Sequence, residues 1–376
     1  MTRLRQVAYP PYTWVLQALE LQCRSFPGGV VAAAVWVPLV QPPAGDANRT
    51  QHNQAELMHA IQSVEGLFRK VEAMNARAAA NASTNSSRAF MGPTPGFRAC
   101  SLRLLLFSEL LGEAALTVLM PLNALRNAAM LAADTPVAAM VDVDLCMSRG
   151  LMEHLMANKT RVDEVVRRAE QERILWVMPA WDTNRTLGYH GRNALLDEII
   201  AMKPGEKSTR LKEAWQVRHD VFPFAFDRFV AGHNATDFPR WLYAAAEYPV
   251  VYSSGYEPWF IAARQVDGGI ALVVQLSVLE PDTGYYYNRL LSVRYMALQQ
   301  RNSFWVLPDV WLVHRHHDVV VSSKPMFPNG TTFRDVFNER GKDIYLEAIA
   351  QIDEGTYTPR SDVASQYCRQ VLPWWK

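Results

Sequence analysis

The run Val137-Ala138-Ala139-Met140-Val141-Asp142-Val143-Asp144-Leu145 constrains this chain more than any other stretch. It is apolar and β-prone, and it delivers two carboxylates, two residues apart, at its end. A buried strand carries no unpaired charge in its interior, so the pair belongs at the strand's exit, facing something positive. Side chains two apart on a strand share a face, so extended geometry would let Asp142 and Asp144 converge on one cation. An oxygen-lined Mn²⁺ or Mg²⁺ that also holds a pyrophosphate suits such a pair. The bland alternative is a solvated acidic turn after a core strand, since Asp-x-Asp arises by chance about once in a chain this long. What sets this match apart is the apolar strand before it and a histidine in a similar position far downstream.

Composition narrows the class. The chain has 376 residues, 49% of them hydrophobic, enough for a large core in one domain or two smaller ones. Its net charge is +1 and it has no long basic run, which argues against a nucleic-acid partner. The longest apolar stretch, Val30 to Val40, includes Pro38; it is too short to span a bilayer and reads as a buried strand. No signal peptide with a charged start, an apolar middle and a small-residue cleavage site precedes it.

Sequons nevertheless point to the secretory pathway. Asn-x-Ser/Thr occurs at Asn48, Asn81, Asn85, Asn158, Asn184, Asn234 and Asn329, seven of fifteen asparagines. Ser and Thr frequencies predict roughly one or two. Asn81 and Asn85 should be the most exposed, and Asn234 partly buried. Cys23, Cys100, Cys146 and Cys368 lack metal-type spacing. In an oxidising lumen they can form up to two disulfides of undetermined pairing; buried free thiols are the other reading. The expectation is a luminal protein, in the Golgi ahead of the endoplasmic reticulum, that meets a membrane only through an anchor or signal outside this chain.

The order of elements reads as alternating α/β. Tyr12–Arg24 and Ala55–Arg77 have helical periodicity, and Val30–Pro38 and Ser101–Phe107 read as strands. Asn123–Ala133 reads as a helix leading into the aspartate strand. Ile174–Pro179, Tyr248–Tyr252 and Trp259–Ala263 read as strands, and Gly150–Arg173 as helix. Ser303–Val313 is nearly continuously apolar and ends in His314-Arg315-His316-His317. An Ala/Asn/Ser-rich stretch suggests a flexible insertion near 78–97. No boundary is sharp enough to divide the chain, so 1–376 reads as a single catalytic domain.

His314 ends a buried-strand pattern, as Asp144 does, and two strand ends can meet at one sheet edge, the usual place for a site in an open α/β fold. Two carboxylates and an imidazole form a mixed oxygen and nitrogen shell suited to Mn²⁺. A lone strand-end histidine is more often structural, and His314-x-His316-His317 lacks the partners that would complete a zinc site.

These residues, taken with others, resemble glycosyltransferase family 49, whose members include a dystroglycan-modifying glucuronyltransferase domain. Pro121-Leu122-Asn123-Ala124-Leu125-Arg126-Asn127 is similar to the family's Pro-x-Asn-x-x-Arg-Asn helix. Met140–Asp144 resembles its Asp-x-Asp strand, followed by Gly150-Leu151-Met152-Glu153-His154-Leu155. Val177–Trp181 resembles its Val-x-Pro-Ala-Phe segment, and Gly232–Trp241 its Gly-His-x-x-Thr-x-x-x-x-Trp signature. Glu257-Pro258-Trp259 stands for its Glu-Pro-Tyr. Val306–His314 follows its Leu-Pro-x-x-Phe-x-x-His almost position by position. The resemblance implies a GT-A fold, a Rossmann-like nucleotide-sugar-binding mixed sheet flanked by helices. It further implies a metal-dependent, inverting transferase that moves a sugar from a UDP-sugar, UDP-glucuronic acid among the candidates, to a glycan or glycoprotein acceptor.

Carried over by position, Asp142, Asp144 and His314 become the metal shell for Mn²⁺ (or Mg²⁺). Arg126, Asn127, Asp142 and His317 become donor-binding residues. Inversion asks for one base to take the acceptor hydroxyl's proton, and Glu280 and Asp282 are favoured, with Glu257 and Asp309 also available. Leu279–Arg289 departs from the family's Asp-Glu-Arg-Phe-x-Gly-Tyr-Gly-x-Asn-Lys where the acceptor should bind. That departure supports a second reading, a catalytically inactive glycosyltransferase-like lectin or partner subunit. A third, a metallohydrolase, lacks a second set of metal ligands. Trp241, Trp259 and Tyr286 are candidates for a sugar-stacking platform.

Overall fold

A parallel strand pair with a helical crossover forms the first part of the chain in the computed structural model, which describes residues 12–26, 28–84, 100–113, 122–266, 269–270, 284–316, 330–331 and 333–357. Helix α1 (Tyr12–Ser25) leads to β1 (Val30–Val40); α2 (Ala47–Thr84) crosses over, and β2 (Ser101–Leu111) returns beside β1. The two strands pair from Val30↔Ser101 to Val40↔Leu111. Parallel strands need such a crossover because no tight turn can join them. α2 runs past Arg77 to Thr84 because Ala78-Ala79-Ala80 is a strong helix-forming run. The expected insertion is therefore helical up to Thr84, and its remainder lies outside the described residues. A disulfide joins Cys23, near the end of α1, to Cys100, just before β2, with their Cα atoms 5.1 Å apart. Among the described residues Cys146 is a free, buried thiol; Cys368 lies outside them.

The chain packs into two compact units, residues 1–117 and 118–376. The second contains α3 (Leu122–Leu131), β3 (Val137–Ala139), β4 (Leu145–Met147), α4 (Lys159–Gln171), β5 (Ile174–Met178), β6 (Ala180–Thr183) and α5 (Gly188–Ala201). After these come β7 (Val221–Pro223), the one-turn α6 (Phe238–Trp241), β8 (Tyr248–Val250), β9 (Trp259–Ala263), β10 (Gln265–Val266) and β11 (Gly269–Ile270). Helix α7 (Gly284–Leu298), β12 (Ser303–Val306), β13 (Leu312–His314) and α8 (Phe333–Glu354) complete it. One sheet has the order β3-β9-β5-β12-β8 and another the order β4-β13-β6-β7; β10 and β11 pair separately. β5 lies parallel to β12 and antiparallel to β9. Its five residues are all buried, as a central strand covered on both faces requires. The architecture is mixed α/β, with parallel and antiparallel strands flanked by helices.

The apolar run Ser303–Val313 is two strands, not one. β12 belongs to the first sheet and β13 to the second. The break falls at Pro308, which has no N–H to give a ladder. Side chains fasten this crossing: the Trp241 indole donates to the Leu307 carbonyl at 2.9 Å, and the Lys207 ammonium donates to the Pro308 carbonyl at 2.6 Å. Gly150 lies so close that a Cβ there would sit 1.8 Å from the Asp309 carbonyl oxygen, so only glycine fits. Trp241 is fully buried, its ring 5.8 Å from Trp181 and 5.7 Å from Trp311. It is core, not a sugar platform.

Among the sequons, Asn48, Asn158 and Asn234 are exposed. The expectation of partial burial at Asn234 is thus corrected: it sits in a one-turn 3₁₀ segment whose outward position is Asn234 and whose inward one is Thr236. Asn158 caps α4, accepting from the Arg161 N–H at 3.2 Å, and the Asn184 amide donates to the His219 carbonyl at 2.8 Å. The side chain of Asn81, and all of Asn85 and Asn329, lie outside the described residues. Among the described residues no helix is long and apolar enough to cross a membrane.

Candidate active site

β3 ends at Ala139, before the aspartates. The Leu145 N–H donates to the Asp142 carbonyl at 2.9 Å, so Asp142–Leu145 is a tight turn between a strand of one sheet and a strand of the other. The two aspartates do lie at the strand's exit, but not in extended geometry, and the shared-face argument fails. A turn fans side chains out where a strand would align them, and Asp142 and Asp144 have different partners.

Asp142 faces positive charge. Arg126 of α3 donates to its Oδ1 at 2.7 Å, while Arg289 of α7 and the Trp259 indole N–H, at 3.2 Å, both reach Oδ2. Both guanidiniums are largely covered, with side chains 17% and 11% exposed. Burial raises the Asp142 carboxyl, but Arg289 and then Arg126 outweigh it and hold the group below the usual carboxylate range. The Arg289 guanidinium also lies over the Trp259 ring, 4.3 Å from its centroid.

Asp144 faces an imidazole. β4 runs antiparallel to β13, with Leu145 opposite His314, and the Asp144 carbonyl accepts from the Arg315 N–H at 2.6 Å. This ladder brings Asp144 Oδ2 to 3.3 Å from His314 Nε2. On its other side β13 pairs in parallel with β6, which brings Asp182 Oδ1 to 3.3 Å from His314 Nδ1. Burial would lower the imidazole, but Asp144 and Asp182 outweigh it and raise it to about 9. Phe224 meets the ring edge-on, its centroid 5.3 Å away.

Two donor atoms in neighbouring positions on a six-coordinate cation stand about 3 Å apart when ligand bonds are near 2.2 Å. Asp144 Oδ2 and His314 Nε2 have that spacing, and the oxygen/nitrogen pair suits Mn²⁺. Asp182 is on the ring's opposite nitrogen and cannot converge with them. Asp142 would have to leave a guanidinium to join them. Accordingly, no group of three or more His, Cys, Asp or Glu among the described residues is placed to hold a metal ion. The residues present fit a cation that takes two ligands from Asp144 and His314.

Beside Asp142, Trp259 is nearly fully buried and stacks on His233 at 5.3 Å and 3°. Here too an expected platform is packed away. Buried His233 is pushed down to about 3, and its Nε2 has no hydrogen-bond partner among the described residues. The Glu257 N–H donates to the Gly232 carbonyl at 2.9 Å. Burial pushes the Glu257 carboxyl up to about 7, with Arg289 pulling it down and Asp142 pushing it further up. Asn127 lies on α3, but its side chain is outside the described residues, as are that of Tyr286 and all of Glu280, Asp282 and His317. Asp309 lies in the crossing between β12 and β13.

Sequence reasoning missed Asp182, Arg192 and Arg289. Asp182 carried a usable signal: Ile174-Leu175-Trp176-Val177-Met178-Pro179-Ala180-Trp181-Asp182 is another apolar run ending in a carboxylate, like the run that ends at Asp142. Arg192 and Arg289 sit on helices whose charged residues look like solvated ones until the tertiary fold turns them inward.

Residues 112–325, more than half of the chain, match the family described as glycosyl-transferase for dystroglycan. The chain is 24% identical over 217 residues to xylosyl- and glucuronyltransferase LARGE2 of Rattus norvegicus, covering 58% of this chain and 27% of that protein. It is 26% identical over 201 residues to LARGE1 of Gallus gallus, covering 52% of this chain and 22% of that protein. Against LARGE1 of Homo sapiens it is 24% identical over 198 residues, again covering 52% and 22%. The chain thus spans about a quarter of the length of these relatives. The matched span holds the whole Asp142 and Asp144 neighbourhood just described, and the chain belongs to the dystroglycan glycosyltransferase family and is a glycosyltransferase.

Proposed function

We propose that residues 1–376 act as a GT-A-type catalytic domain, a metal-dependent inverting transferase that moves a sugar from a UDP-sugar to a glycan acceptor. UDP-glucuronic acid and UDP-xylose are the first donors to try, since the relatives are named xylosyl- and glucuronyltransferases. The observation that carries the reading is the 3.3 Å approach of His314 to Asp144, beside two arginines that meet on Asp142. Asp144 and His314 would hold Mn²⁺ or Mg²⁺, and Asp142 would join them as its arginines turn to the donor. When bound, the cation offsets charge on the departing diphosphate. Arg126 and Arg289 present a fixed positive locus, the kind that recognises a diphosphate or a uronate carboxylate. Glu257, with a pKa near neutrality, suits the removal of a hydroxyl proton. Asn127 and His317 remain donor-side candidates, and Glu280 and Asp282 competing bases.

The Cys23–Cys100 disulfide and the exposed Asn48 and Asn234 sequons support an oxidising, glycosylating compartment, and we assign the Golgi lumen. The test is UDP release from UDP-glucuronic acid, UDP-xylose and UDP-N-acetylglucosamine, with Mn²⁺ or with EDTA. Mn²⁺-dependent release from one of them is expected. Donor binding without turnover on any of them would replace this reading with the lectin-like one.

A further inference from the structure

The imidazole of His314 is held at both ends, and the end away from Asp144 is the more elaborately built. Asp182 and Arg192 are each 3% exposed. Asp182 Oδ1 accepts from the Thr183 N–H at 2.7 Å and from Arg192 Nη2 at 2.9 Å, and it faces His314 Nδ1 at 3.3 Å. Arg192 reaches it from α5 and is itself anchored by Nε donating to Thr183 Oγ1 at 2.8 Å; its remaining nitrogen meets His316 Nδ1. A buried ion pair is poor value for stability alone, because desolvation offsets most of the attraction. This one has a directional consequence. A carboxylate can only accept, so Asp182 requires the proton on Nδ1; Nε2 carries its own proton toward Asp144, and that is the proton a cation would displace.

We propose that the Asp182–Arg192 pair is a positioning device that fixes His314 in its Nδ1–H form, with Nε2 presented to a divalent cation shared with Asp144. The inference rests on the metal reading given above. Arg192 acts through Asp182: it holds Oδ1 against the imidazole and keeps the carboxylate from turning away. Histidine ligands of metals commonly lean on such a carboxylate, and losing it weakens metal binding by about 10- to 100-fold.

The experiment is Mn²⁺ titration of the purified chain by calorimetry, without donor or acceptor, for wild type, Asp182→Asn, Arg192→Lys, Asp144→Asn and His314→Gln, with thermal melting as the folding check. Asp182→Asn keeps an acceptor for Thr183 and Arg192 but removes the charge, and Mn²⁺ affinity is expected to fall about 10- to 100-fold. Arg192→Lys is expected to give a smaller loss, having a charge but no fork. Unchanged Mn²⁺ affinity in folded Asp182→Asn would overturn the positioning role while leaving the metal reading intact. Unchanged affinity in Asp144→Asn and His314→Gln would overturn the metal reading itself. A variant that does not fold leaves the question to ring-nitrogen NMR of the wild-type protein with Mg²⁺. A protonated Nδ1 on His314 supports the assignment, and a protonated Nε2 with bare Nδ1 overturns it.

Discussion

Two carboxylates separated by one valine live in opposite electrical settings. Asp142 looks toward α3 and α7 and is held by Arg126, Arg289 and the Trp259 indole. Asp144 looks toward the second sheet and meets the imidazole of His314, itself backed by Asp182. The turn Asp142–Leu145 creates the difference, because it passes the chain from one sheet to the other. A doublet that looks like one functional unit is thus divided. One half anchors positive charge, and the other lies beside an imidazole. Under the proposed function, a cation and a diphosphate would then be met by neighbouring groups without competing for the same side chain.

The largest expected effect tests the Asp144 half. Asp144→Asn should lower Mn²⁺-dependent UDP release by about a thousandfold, on the order of 4 kcal/mol of barrier. The melting temperature should fall less than in Asp142→Ala, which removes the shared partner of two guanidiniums. Release within tenfold of wild type would show that the assignment to Asp144 is wrong. Asp142→Ala reverses the pattern in stability. It leaves two partly buried guanidiniums facing each other, and breaking such a pair costs about 3 kcal/mol. Urea unfolding of the two variants side by side measures this. Equal loss in Asp142→Ala and Asp144→Ala would erase the contrast. Smaller again is Arg289→Ala, expected to weaken UDP binding about tenfold while leaving Mn²⁺ affinity near wild type. If Arg289→Ala weakened Mn²⁺ binding as much as UDP binding, the two halves would be one site after all.

How far the sequence could carry this division depends on the range of the signal. Central strands such as β5 are short buried runs flanked by breakers, and their composition identifies them. The meeting of Asp144 with His314 was also legible, because both end apolar runs and sheet edges gather such ends. The turn was not, since the β-branched valines of Val-Asp-Val-Asp continue the strand pattern and mask the one turn-forming residue type present, aspartate. Nor was the division of Ser303–Val313, where Pro308 was the only hint. Arg289 and Arg192 depend on which helix face turns inward, and the weak amphipathicity of α5 and α7 gives no such instruction. Trp241 and Trp259 look equally apt for sugar stacking or core, and tertiary packing chose core.

The smallest effect concerns Glu257, which belongs to the Asp142 half through its interactions with Arg289, Asp142 and Arg126. Its folded pKa of about 7 stands above the ordinary value of 4.5. The stability this group contributes is therefore fully present below pH 4.5 and is lost as pH rises through 7. Because the residue retains some solvent contact, the loss should be on the order of 1 kcal/mol. Glu257→Gln should flatten that part of the pH–stability profile and leave the variant slightly more stable than wild type at neutral pH. Activity should run the other way. A base must be deprotonated to act, so kcat/KM for UDP release should climb as pH passes through 7 in the wild type. Glu257→Gln should lose both the climb and most of the turnover. Retained turnover with a flattened stability profile would pass the base to Glu280 or Asp282 and leave Glu257 as a buried acid answering only to its arginine neighbours. The two profiles together thus decide whether the Asp142 half of the site carries proton transfer or charge alone.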